Sequence, residues 1–81
     1  MLAKFEAYFD GANWCARGIG ADVFTQGASL DELMNNIREA AVLHFEDILE
    51  QGEQVHLLVL SELVLSFPVM EISHAAQVAA N

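Results

Sequence analysis

The sequence predicts an α+β domain: a three-stranded antiparallel meander, one long helix across one face of it, and a returning strand or strand pair, in the order β-β-β-α-β. Three observations predict it. Apolar and polar residues alternate through the first ten positions, glycine-containing turns punctuate the first third of the chain, and a helical apolar period takes over after residue 29. The chain has 81 residues, 54% of them apolar, enough for one core and too few for two.

Between Leu2 and Asp10, Lys4, Glu6 and Tyr8 alternate with Phe5, Ala7 and Phe9, the pattern of a strand with one buried face. Asp10-Gly11-Ala12-Asn13 supplies residues that tolerate tight-turn geometry, and Trp14-Cys15-Ala16-Arg17 resumes an extended pattern, so the two segments read as a hairpin. Gly18–Asp22 is a second reversal, and Val23-Phe24-Thr25-Gln26 is a third strand. Ser29-Leu30-Asp31-Glu32 is a capping-box sequence that starts a helix at Ser29, and Gln51-Gly52 is its stop. On a helical wheel centred on Ile37, the residues Leu30, Leu33, Met34, Ala40, Ala41, His44, Phe45 and Ile48 form the stripe that packs on the sheet. Val42 and Leu43 fall instead among the polar residues, which marks them as contacts for another chain. Val55–Leu60 and Leu63–Phe67 are too apolar for a loop and read as one long strand or two short ones. A strand that returns beside the first one through a right-handed crossover is parallel to it. The domain is expected to span residues 1–72, with the alanine-rich 73–81 as a weakly ordered tail or short helical turn.

Charge narrows the function. Twelve Asp and Glu against three Lys and Arg leave a net charge of −9, which repels a nucleic-acid backbone. Direct nucleic-acid binding is therefore not expected. One cysteine forms no internal disulfide, and neither an export leader nor a membrane-length apolar run is visible, so a cytoplasmic location without membrane contact is expected. No cofactor is implied: Gly18-Ile19-Gly20 is followed by a strand and not by the helix a phosphate loop requires. His56 and His74 lack metal-ligand spacing, His44 reads as a buried structural imidazole, and Cys15 reads as an inert small hydrophobe.

Three ordered segments carry a resemblance: the Asp10-Gly11 hairpin leading to Trp14-Cys15-Ala16, Thr25-Gln26-Gly27-Ala28-Ser29-Leu30-Asp31-Glu32-Leu33, and Asn36-Ile37-Arg38-Glu39-Ala40. Together they resemble the N-terminal domain of HicB-like antitoxins over about residues 4–46. The resemblance implies a ββ-β-α-β domain similar to a partial ribonuclease H fold, and a small basic HicA-type toxin ribonuclease as its partner. Two departures stand out. Ile19–Phe24 replaces the proline-containing segment usual in the family, and no positive charge follows Arg38, so the DNA-binding C-terminal domain of full-length members is not expected here.

The leading expectation is thus a non-enzymatic, antitoxin-type protein-binding module that masks its toxin sterically and electrostatically. Its candidate partner-binding residues are Asp22, Glu39, Val42, Leu43 and Glu46. The half-covered sheet also predicts a homodimer or higher homo-oligomer. Two alternatives stand beside it: an orphan oligomeric scaffold, and a metal-dependent nuclease relict using Asp10, Glu39 or Glu46, and Glu71.

Overall fold

A computed structural model describes residues 1–62 together with Leu65 and Phe67. In chain order its elements are β1 (Leu2–Phe9), β2 (Trp14–Ile19), β3 (Phe24–Gly27), α1 (Leu30–His44), α2 (Glu46–Glu50) and β4 (His56–Ser61). They form an α+β domain with a four-stranded mixed sheet of order β3-β2-β1-β4. β1, β2 and β3 make the antiparallel meander. β4 runs parallel to β1, as the crossover predicts. Most of the stretch Leu63–Phe67 lies outside the described residues, as does the segment 73–81.

The turns form for the reasons their residues suggest. The Asp10 carboxylate accepts from the backbone N–H groups of Ala12 (2.9 Å) and Asn13 (2.7 Å), and the Asp10 N–H donates to the Asn13 carbonyl at 3.0 Å. Gly11 takes φ 100°, where a side chain would be strained. β2 runs on to Ile19, beyond the expected end at Arg17. The Gly18 N–H donates to the Val23 carbonyl at 2.8 Å, which holds this extension in place.

Ser29 caps α1, its Oγ accepting from the Glu32 N–H at 3.1 Å. Only this half of the capping box forms: among the described residues no hydrogen bond joins the Glu32 side chain to the Ser29 N–H. The single long helix expected to reach Gly52 is interrupted at Phe45, whose φ −106° and ψ 25° leave the helical region. At the end of α2, Glu53 N–H donates to Ile48 O (3.3 Å) and Gly52 N–H to Leu49 O (3.0 Å), with Gly52 at φ 86°. That is the left-handed C-terminal stop that the glycine predicted.

The core is thin. Phe5, Leu33 and Ile37 are its only large fully buried side chains among the described residues, surrounded by Ala3, Ala7, Ala16, Ala41 and Phe45. Small residues on β1 and β2 let α1 come close to the sheet. The approach is tightest at Gly27, where a Cβ would lie 2.7 Å from the Leu33 nitrogen and 3.1 Å from its Cα. Of the expected stripe, Leu33, Ile37, Ala41 and Phe45 are buried, while Met34 and Ile48 pack partly against the core. Two of its members are corrected by the structure. Leu30 is 45% exposed in the first turn, and His44 is exposed, its ring edge-on to Phe45 at 4.8 Å. A wheel gives a side chain's direction and not its depth, and these two residues are the first and the last of α1.

Gly27→Ala should destabilise the domain by about 1–3 kcal/mol through backbone overpacking, and Leu33→Ala by about 2–5 kcal/mol through cavity formation. Urea titration followed by circular dichroism measures both. A wild-type midpoint for Gly27→Ala would contradict the close approach of α1 to β3.

Candidate protein-interaction surface

The helical spacing of four residues places Arg38 beside Val42 and Glu39 beside Leu43. These four side chains line a shallow hollow of about 440 Å³. Arg38 and Val42 also line an adjoining hollow of about 210 Å³, whose floor is Ala41, Leu49, Val55 and Leu57. Val42 and Leu43 are 55% and 74% exposed, large apolar side chains turned away from the core. Carboxylates follow directly along the chain. Glu46 and Asp47 open α2, Glu50 ends it, and Glu53 lies in the loop to β4, all of them exposed.

Three of the five predicted contact residues, Glu39, Val42 and Leu43, are thus brought together. Glu46 stands at the start of α2 and lines neither hollow. Asp22 is separate: it lies in the loop between β2 and β3, on the wall of a different hollow of about 560 Å³ that also touches Lys4, Ile19 and His44. This larger hollow lies between the Ile19–Asp22 loop and the C-terminal end of α1, away from the Glu39–Leu43 cluster. Arg38, Leu49, Val55 and Leu57 belong to the surface and were not singled out from the sequence. Arg38 was legible by its spacing to Val42, and so was Leu49, which at seven residues beyond Val42 shares its side of a helical wheel.

The second exposed surface is the face of the sheet opposite α1. Registered neighbours share a face, so Ile19, Lys4 and Leu58 form one row across three strands, and Phe24, Arg17, Glu6 and Leu60 form the next across four. Within it the Arg17 guanidinium meets the Glu6 carboxylate at 3.2 Å. Both partners are well exposed, so this pair contributes about 0–1 kcal/mol. An uncovered face follows from a single helix; the identities of Ile19 and Phe24 on it follow from register.

Searches among family models, curated proteins and solved structures found no match to this chain. The chemistry of the surface therefore has to be read from its own residues. The carboxylates nominated for a metal-dependent nuclease do not gather: among the described residues no three His, Cys, Asp or Glu side chains converge as metal ligands. Glu71 and His74 lie outside the described residues. Asp10 is engaged in its own turn. Its hydrogen bonds from the Asn13 and Ala12 N–H groups hold its carboxyl below the usual carboxylate range. Cys15 donates to Asp10 Oδ2 at 3.5 Å, and burial, reinforced by that carboxylate, pushes its thiol up.

The depressed Asp10 pKa contributes stability that is complete above its unfolded value of about 3.9 and is lost as pH falls through the lower folded value. Asp10→Asn keeps the oxygen acceptor and removes the charge. Its stability deficit at neutral pH should vanish on acidification, as measured by urea titrations at stepped pH; a deficit independent of pH would contradict the assignment. Native Cys15 should react with a soluble disulfide reagent at least about ten-fold slower than in the urea-unfolded chain near pH 8, because thiolate and access are both reduced. Equal rates would show that the thiol is open to solvent.

Proposed function

We propose that this domain is a HicB-like, antitoxin-type binding module that masks a small basic HicA-type toxin ribonuclease and does no chemistry itself. The observation that carries the reading is the apolar surface of Val42 and Leu43, with the hollows beside them, which Glu39 lines and which Glu46, Asp47 and Glu50 follow along the chain as exposed carboxylates. An aliphatic or aromatic side chain of a partner fits the apolar part, while cationic side chains around it meet the carboxylates. The net charge of −9 attracts a basic protein over a Debye length of about 8 Å and raises its association rate. The β-β-β-α-β order is the one the family resemblance implies, which supports the reading at the level of fold.

The module works in the cytoplasm as a homodimer or higher oligomer, and Asp22, at a separate hollow, extends the acidic field toward the partner. Among the described residues no helix is long and apolar enough to cross a membrane. The orphan scaffold remains the competing reading because the exposed sheet face calls for an oligomer whether or not a toxin exists.

Affinity purification from the native cell extract should recover a small basic protein whose ribonuclease activity is suppressed on adding the domain. Recovery of the chain alone would favour the orphan scaffold. With that partner in hand, the double substitution Glu39→Lys and Glu46→Lys should slow association about ten-fold or more at low salt, read by stopped-flow or biosensor kinetics. An unchanged rate would remove this surface from the interface.

A further inference from the structure

We infer that the open face of the sheet is the surface on which a second copy of this chain packs. The inference takes up the oligomer part of the proposed reading, gives it a location, and requires no toxin.

Charge and hydropathy are distributed unevenly over the molecule. Leu2, Ile19, Phe24, Leu58 and Leu60 all stand on the open face with 42–59% of their surface exposed. Two of the three cationic residues of the chain, Lys4 and Arg17, stand at its centre with one carboxylate, Glu6. The other ten carboxylates of residues 1–62 lie in the turns, the two helices and the residues that flank β4. Among the described residues the strands thus present an extended surface without net negative charge.

Such a surface selects its occupant. A basic partner finds the carboxylates it would pair with mainly on the helical side. A second copy carries the same net charge of −9, and it is repelled least where the helix carboxylates of both chains lie farthest apart, which is across this face. A second copy brings the same arrangement of one acid between two bases, flanked by apolar side chains, so acid can meet base across a two-fold axis while the Leu, Ile and Phe side chains interdigitate. Two such sheets stack at about 10 Å separation, as in a β-sandwich. The contact also keeps the six carboxylates of the two helices away from the seam, while Asp22 borders it in the hollow that touches Lys4 and Ile19.

Sedimentation velocity of the full chain over the micromolar range tests this. The expected result is a species of twice the 8.9 kDa chain mass whose association strengthens as salt rises, since screening relieves the repulsion between two chains of charge −9. Lys4→Glu puts a like charge at the centre of the seam and should weaken association about ten-fold or more. Leu43→Asp on α1 should leave it unchanged. Hydroxyl-radical footprinting of the unsubstituted chain gives a second readout that does not depend on a variant folding: Phe24 and Leu60 should become protected as concentration rises.

A dimer that survives Lys4→Glu, or that Leu43→Asp abolishes, overturns the location and leaves the oligomer standing. Protection of Phe24 and Leu60 at every concentration in a monomeric sample overturns it as well, by showing that the chain covers the face itself. A monomer with both residues reactive throughout overturns the oligomer too.

Discussion

The seam between α1 and the sheet is the constraint on which the rest of the molecule depends. It closes because β1 and β2 offer Ala3, Ala7 and Ala16 to the helix, with Phe5 as the single large side chain on that side of the sheet to be fully buried. Gly27 completes the approach where β3 turns under the first turn of α1, and the Asn36 side chain donates to the Gln26 carbonyl at 2.7 Å, tying the helix to the edge of the sheet. A seam of this kind covers one face and no more. The two apolar surfaces described above follow from that asymmetry: among the described residues no element lies over the other face of the sheet, and Val42 and Leu43 face away from the seam on the helix.

Charge sorts these two surfaces. The strands hold Lys4, Arg17 and Glu6, whereas the helices and their flanking turns hold most of the carboxylates. A chain with this partition can join its own copy through one side and meet a cationic protein with the other, and the two events respond to salt in opposite directions. Screening weakens attraction between an acidic helix face and a basic partner, and it also weakens repulsion between two copies of the chain. Salt dependence therefore distinguishes which surface is in use.

Much of the fold was legible because local residue chemistry and tertiary structure agree. The alternation in β1 holds through Ala7 and fails at Phe9, expected on the buried face but 53% exposed at the strand end; Asp10 and Gly11 make the turn their types predict, Ser29 caps the helix, and Gly52 ends α2 in the left-handed region. A further disagreement is at Phe45. Its neighbours propagate a helical pattern, yet its own backbone departs from it. Nothing in the local sequence marks that break, since Phe45 is neither glycine nor proline. The candidate site was half legible for a similar reason. Glu39, Val42 and Leu43 share one helix, and a wheel places them together. Asp22 reaches its hollow through a loop whose path depends on the length of β2, and the rows Ile19–Lys4–Leu58 and Phe24–Arg17–Glu6–Leu60 exist only once the register is known.

A thin core also gives assembly a part in stability. Natural domains retain about 5–15 kcal/mol against unfolding, and among the described residues this core holds three large, fully buried side chains. Anything that binds the folded chain and not the unfolded one adds to this by mass action, about 2.7 kcal/mol when present at 100 times its dissociation constant. Covering Ile19, Phe24, Leu58 and Leu60 with a second copy removes from water apolar surface that α1 cannot reach. In the proposed dimer these residues would add their burial to that of the core. A fold so economical in its core is consistent with a protein whose working form is an assembly, in which the open face of the sheet forms the second wall of a core shared between chains.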